Sequence, residues 1–362
     1  MEKKKKIIVW TKGIDDLIHD KGMVGGLTIQ MYFWSLTFIE NGWNVYSFSD
    51  VKKDTLQDIR FLKFPRIRTI GIVLEWFMSF YYLAITRPDI VIIRGARREL
   101  FFLGFYQKIF RYKLSFFGAS DSDFEIGKEL ISVSKINVSL YRKGVRKCKH
   151  FVVQNEEQQK LLSDHYNKNS LVIKNIWCKN KINSNTNDHA EKYDAIWVGN
   201  FRKLKRPEYF INLAKKNPEK KFAMIGGCID VNLYDSINIE CQKMDNINFL
   251  GTVSFNEIMN YFSNAKLLIC SSEIEGFPNT FIQAFSAGVP IISTFDPSKI
   301  IQENNLGYIV ENEDELNHKF NQLLSDKDEY FSIQENCLNF FQSNFDAKHS
   351  LNKFLDFLER EK

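Results

Sequence analysis

The chain has 362 residues, 44% of them hydrophobic and 26% charged, with 18 Gly and 7 Pro, enough for about two domains that each bury a full core. An aromatic fraction of 14% beside that ordinary charge excludes disordered, collagen-like and low-complexity classes. The net charge is +5, but it is unevenly spread: residues 1–180 hold 30 Lys+Arg against 18 Asp+Glu, residues 181–362 only 19 against 26. The first half is therefore expected to meet something anionic.

No apolar run reaches the ~18–20 residues of a membrane-spanning helix; Trp76–Ile85 comes nearest, between Glu75 and Arg87. The opening MEKKKKIIVW has a basic flank but no long apolar stretch or small-residue cleavage site, so it is not read as a signal peptide and a soluble, cytosolic protein is expected. Six scattered cysteines without a C-x-x-C pair read as reduced thiols, with no zinc site.

Short apolar runs alternate with longer helical patterns, which predicts parallel α/β layers. In chain order the predicted strands are Ile7–Thr11, Asn44–Ser49, Asp89–Arg94, Lys113–Gly118 and Phe151–Gln154, then Asp194–Val198, Phe222–Ile225, Asn248–Gly251, Leu267–Cys270, Pro290–Ser293 and Tyr308–Val310. Between the two series lies the polar, aperiodic Cys178–Lys192, a linker composition. The expected organisation is a Rossmann-like domain over 1–178, a linker over 179–192, a second Rossmann-like domain over 193–345, and a C-terminal helix over 346–362 packing back toward the first domain. In such sheets ligands bind at the carboxyl ends of strands where the connections reverse, so the residues just after each strand deserve inspection.

After the first strand, Gly25 and Gly26 open a helix running to about Glu40; a tight turn is an equal reading. The segments Trp76–Ile85 and Leu100–Phe117 are rich in aromatics, the latter interleaved with Lys108, Arg111 and Lys113, and Tyr141–His150 adds five more cations. That mixture suits the interface of an anionic membrane, and equally core helices with a solvated basic face. In Ser115–Glu125, Asp121 and Asp123 could orient a hydroxyl or stabilise a developing positive charge; capping by Ser120 or Asp121 is the alternative. No histidine sits in a recognisable motif, and no nucleic-acid-binding signature appears.

Two later stretches carry more chemistry. In IWVGNFRKLKRP, Gly199 follows a strand, and Arg202, Lys203, Lys205 and Arg206 follow it; fixed cations there would stabilise developing negative charge. In LLICSSEIEGFPNTFIQAFSAGVPIIS, a strand is followed by the loop Ser271–Pro278, a helix with Asn279 as expected N-cap, Gly288 as its terminator, and another strand. Gly276 permits close backbone approach, Pro278 stiffens the loop, and the helix's leading N–H groups make an anion site. Glu275 stands at the mouth and Gln283 about one turn inside the helix.

EGFPNTFIQAFSAGVPIIS resembles the donor-site signature of the retaining family 4 glycosyltransferases, which have the two-domain GT-B fold. The resemblance implies two Rossmann-like domains facing a central cleft, with Glu275 contacting the donor sugar and Lys205 and Arg202 the diphosphate. Gly199, Gly276, Phe277, Pro278, Asn279, Thr280 and Gln283 would line the donor, and Gly25 and Gly26 would face its phosphates. Catalytic roles fall to Glu275, Lys205 and Asp121. Gln283 stands where the family usually has a ribose-binding Glu, and Asn200 where it has an Arg. A neutral hydrogen bond in place of a carboxylate's could weaken donor binding roughly tenfold. The implied reaction takes a UDP- or GDP-sugar to a glycan or lipid-linked acceptor with retention, with no metal and no cofactor, in capsule or lipopolysaccharide assembly at the inner face of the plasma membrane. An epimerase or hydrolase on the same fold, or a noncatalytic sugar-nucleotide or glycan-binding protein, are the competing expectations.

Overall fold

The computed structural model describes residues 4–19, 25–49, 55–63, 72–127, 134–178, 192–255, 257–273, 275 and 277–360. The chain forms two compact units, one of Met1–Cys178 with Asp346–Lys362, the other of Lys179–Phe345. The predicted linker lies outside the described residues except for Lys192.

In the first unit the order is β1 (Lys6–Lys12), α1 (Ile14–Ile18), α2 (Gly26–Glu40), β2 (Asn44–Ser49), β3 (Thr55–Leu56), β4 (Ile59–Lys63), α3 (Ile72–Thr86) and β5 (Ile90–Arg94). It continues with α4 (Glu99–Phe110), β6 (Lys113–Phe117), α5 (Lys135–Lys147), β7 (His150–Val153), α6 (Glu156–Tyr166) and β8 (Leu171–Val172). The strands assemble as β3-β4-β2-β1-β5-β6-β7-β8, parallel apart from the β3–β4 pair. Strands buried on both faces read as continuous apolar runs, which is why IVIIR and HFVV have no exposed position.

Alternate residues of these strands serve different layers. Ile8, Val91, Leu114, Phe116 and Phe151 join Leu83 of α3, Leu103 of α4, Tyr141 of α5 and Leu162 of α6 in one core. On the opposite face α2 is apolar nearly all round, as a helix covered on both sides must be. Its Trp34 meets Phe117 of β6 at 5.1 Å and Phe354 at 5.6 Å. Phe354 belongs to α14 (Ala347–Arg360), whose Leu351, Phe354 and Leu358 form a buried stripe. Lys113 of β6 also donates to the Leu358 carbonyl.

The second unit runs β9 (Tyr193–Val198), α7 (Glu208–Lys216), β10 (Phe222–Ile225), α8 (Val231–Cys241), β11 (Ile247–Gly251), α9 (Ile258–Ser263) and β12 (Ala265–Cys270). Then come α10 (Asn279–Ser286), β13 (Ile291–Ser293), α11 (Ile300–Glu303), β14 (Gly307–Ile309), α12 (Glu313–Ser325) and α13 (Lys327–Asn344). Its parallel sheet has the order β11-β10-β9-β12-β13-β14. The connections reverse between β9 and β12, whose Ala195 and Ile196 pair with Leu267 and Leu268. The loops after these two strands therefore flank one switch point.

Candidate active site

The two loops at that switch point are laced together. After β9 the chain passes Gly199 to a single 3-10 turn, Lys203–Lys205, and leaves it through Arg206 at φ 44°. After β12, Ser271 accepts from the Trp197 indole N–H at 3.1 Å and donates to the Lys205 carbonyl at 2.7 Å. The Glu273 N–H reaches the Leu204 carbonyl at 2.8 Å. Arg206 fastens the same loop, donating from Nε to the Ser271 carbonyl and from Nη2 to Thr294 Oγ1, both at 2.8 Å.

This lacing brings Lys205 and Glu275 together. Their ammonium and carboxylate form an ion pair, and Ser272 Oγ donates to the same Glu275 Oε1 at 2.9 Å. Both side chains keep about a fifth of their surface in solvent, so the pair is sheltered yet reachable. Burial draws the Lys205 ammonium below the ordinary lysine range, and repulsion from the Arg202 guanidinium adds to that. Arg202 itself is exposed just ahead of the 3-10 turn. The floor beneath them is tight. Gly199 lies on the Trp197 ring, and a Cβ on Gly226, after β10, would fall 1.7 Å from the Gly199 carbonyl oxygen. Gly226→Ala is therefore expected to push the β9 and β10 loops apart, destabilising the protein by about 1–3 kcal/mol, measurable by urea unfolding.

Helix α10 opens one residue differently from expectation. Pro278, extended at ψ 129°, takes the cap position without a side-chain hydrogen bond, and Asn279 is the first helical residue. A proline has no N–H and its ring holds φ, so it ends the loop without help from an Asn cap. Gly288, at φ +67°, follows the helix in the left-handed conformation that glycine adopts freely. Asn279 and Thr280 are half-buried at the tip. Gln283 is only 5% exposed, and no side-chain hydrogen bond of Gln283 is found among the described residues. The Phe277 ring is turned inward, 5.9 Å from Phe345, so its side chain serves the core. Gly276 lies outside the described residues.

In the first unit, Gly25 caps α2 and Gly26 begins it, and a Cβ on Gly25 would meet nothing within 4 Å. No packing demands glycine there. Beyond β6, Asp121 opens a 3-10 turn through Asp123 that Ser120 caps, with Asp123 completing the capping box. Burial raises the Asp121 carboxyl, and its Oδ1 is buried without a hydrogen-bond partner among the described residues. Asp123 is committed to structure. It accepts from the backbone N–H of Ala96, Ala119 and Ser120 at 3.1, 2.7 and 3.2 Å, and burial pushes it up to about 6. Sequence reasoning missed its neighbour Arg94, at the end of β5, which is buried, lowered to about 10 by desolvation, and bound to Asn175 Oδ1 at 2.7 Å. Arg206, Ser271 and Ser272 were also missed as fasteners. Their only sequence signal is a cation and two small hydroxyls beside strand ends.

Two doubly wound parallel sheets, the second with a charged pair at its switch point, define the class: this is a GT-B fold. Residues 179–339, nearly the whole second unit, match the family described as Glycosyl transferases group 1. The chain is 30% identical over 146 residues to the O-antigen biosynthesis glycosyltransferase WbnH of Escherichia coli, a match covering 40% of this chain and 41% of that protein. The chain thus spans about two-fifths of the length of the curated relatives that it matches first. Among solved structures, sucrose-phosphate synthase from Thermosynechococcus elongatus superposes with a TM-score of 0.77 at 14% identity, over 99% of this chain and 100% of that one. WaaG, a glycosyltransferase involved in lipopolysaccharide biosynthesis, does so with 0.70 at 13%, over 96% and 98%. Both likenesses speak to fold alone.

Proposed function

We propose that this protein is a glycosyltransferase of cell-surface polysaccharide assembly, moving a sugar from a nucleotide-diphosphate donor to a hydroxyl of a glycan or lipid-linked acceptor. The observation that carries this reading is the Lys205–Glu275 pair, held by two interlaced loops at the β9/β12 switch point. The similarity to an O-antigen biosynthesis glycosyltransferase supports the acceptor class. Lys205 would neutralise the charge that grows on the departing diphosphate, assisted by exposed Arg202. Glu275, released from Lys205 by the arriving phosphates, would accept hydrogen bonds from the donor sugar. Gln283, buried beyond the α10 tip, would meet the ribose hydroxyls, and Gly199 and the Pro278–Thr280 backbone would admit the nucleotide closely. Asp121 would face the acceptor, and Gly25 and Gly26 the donor phosphates. Retention follows from the family resemblance, with the donor phosphate itself taking the acceptor proton, and with no metal or cofactor. A cytoplasmic site of action accords with a cytosolic nucleotide-sugar donor.

A thermal-shift series with UDP, GDP and their sugars, followed by assay of released nucleotide, tests the reading. A bound ligand raises stability by RT ln(1 + [L]/Kd), so the preferred base stands out. Product formed from donor alone would make the protein an epimerase or hydrolase, and binding without turnover would make it a noncatalytic binder. Gln283→Glu is expected to tighten donor binding up to roughly tenfold and to lower the ligand-free melting temperature, because a buried carboxylate there would lack a partner. Calorimetric titration of both forms reads the two effects separately.

A further inference from the structure

The loop that carries Glu275 is braced from behind by a residue far along the chain. Its upstream end is laced to the β9 loop through Ser271 and Glu273, and Ser272 holds the Glu275 carboxylate at 2.9 Å. Downstream, Pro278 caps the start of α10. Between Glu275 and Pro278 stands Phe277, 7% exposed, whose ring lies 5.9 Å from that of Phe345, just past the end of α13. Phe345 is itself 3% exposed and donates its N–H to the Phe341 carbonyl at 3.2 Å.

Phe345 is the hub of an aromatic cluster. Its ring stacks 6.5 Å from Phe285 of α10 and lies 5.9 Å from both Phe340 and Phe341 of α13. Phe285 in turn meets Phe281 at 6.2 Å and Phe340 at 5.4 Å. Rings packed this closely do not shift singly. One side chain therefore braces both parts of the candidate donor site: the Glu275 loop through Phe277, and α10 through Phe285. Phe345 is also tied on its far side. The next residue, Asp346, belongs to the first unit, where it pairs with Trp177 and accepts from the N–H groups of Lys348 and His349 at 2.8 and 3.2 Å. The chain thus passes from a buried ring straight to a capping carboxylate, with no spare residue between them.

We infer that Phe345 is a positioning residue of the donor site, fixing where Glu275 stands by way of Phe277. A carboxylate accepts hydrogen bonds well only over a few tenths of an ångström, and pinning the Phe277 ring so near in sequence limits the travel of Glu275. Phe345 is apolar and buried, so its effect on a donor passes through the geometry of the loop. The inference rests on the donor role proposed for Glu275, but the placing of the loop is measurable without any donor.

The test compares Phe345→Ala with Phe341→Ala, which removes a ring of equal size from the same cluster but leaves the Phe277–Phe345 contact in place. Both are expected to lower the melting temperature, as large-to-small core changes do. In hydrogen exchange of the ligand-free full chain, only Phe345→Ala should quicken peptides covering residues 271–280, by at least about tenfold. Only Phe345→Ala should lower kcat/KM for the nucleotide-sugar donor, by about tenfold to a hundredfold, the cost of misplacing a contact by about 1 Å, assayed below both melting transitions. Added to Phe277→Ala it should cost little further, because the two act in series. Phe345→Leu and Phe341→Leu repeat the comparison with smaller cavities if the alanine variants fold poorly. Equal loop exchange in the two variants, or an unchanged kcat/KM in Phe345→Ala, would overturn the inference. A wild-type chain that turns over no nucleotide sugar would overturn the sugar-transfer reading instead, and the exchange comparison would still decide whether Phe345 holds the loop.

Discussion

Lys205→Ala and Glu275→Ala are each expected to lower kcat/KM for the nucleotide-sugar donor roughly 10–150-fold, the worth of one charge-assisted hydrogen bond. The fold should survive, because the interlaced loops are held by Trp197, Ser271, Glu273 and Arg206 independently of this pair. The two losses should not add, since each residue positions the other before the donor arrives. In Glu275→Ala the ammonium remains but loses its anchor; in Lys205→Ala the carboxylate keeps Ser272 as its partner. Steady-state kinetics with the preferred donor, beside circular-dichroism melts, separates a damaged site from a damaged fold. Wild-type turnover in both variants would remove this pair from the chemistry.

The largest stability effect is expected in the other unit. Asp123→Ala should destabilise the protein by about 3–5 kcal/mol, the usual loss when a buried charge is stripped of its counterpart. Three backbone N–H groups, of Ala96, Ala119 and Ser120, lose their acceptor at once. Arg94, fully buried nearby, loses the negative charge that offsets its own desolvation. Asp123→Asn should fall between, because one of its two polar atoms would be a donor facing donors. Urea unfolding measures both, and a loss below about 1 kcal/mol in Asp123→Ala would show the network to be dispensable.

How far these features could be read in advance depends on what each residue's neighbours in sequence reveal. The strands Asn44–Ser49 and Phe222–Ile225 are placed to the residue, because parallel strands covered on both sides are continuous apolar runs bounded by polar turns. The pieces β3, β4 and β8 go unseen. Two are only two residues long, and IRFLK of β4 exposes Arg60 and Lys63 near the sheet edge, so it carries no unbroken signal. Lys205 and Glu275 are each legible as residues just past a strand. That they share one site comes from the family resemblance alone, and their ion pair is not foreseen, since 70 residues separate them and only the adjacency of β9 and β12 closes the gap. Arg94 is the hardest case: a cation ending IVIIR reads as a strand emerging into solvent, and nothing local announces that β6 and its loop will enclose it. Of the aromatic segments of the first half, α3 and α4 put Tyr82 and Phe102 in the core and leave Phe77 and Phe105 exposed, so only the packing of their inner faces is legible.

The return of α14 to the first unit has a consequence for biosynthesis. Trp34, Phe38 and Phe117 find Phe354 only after the whole intervening unit has left the ribosome. The first unit thus waits with the part of α2 and β6 that faces Phe354 uncovered, while residues 179–345 are contiguous in the chain. A nascent chain in that interval exposes aromatic surface to chaperones and to its neighbours on the polysome. Translation speed through the second unit then sets how long the hazard lasts.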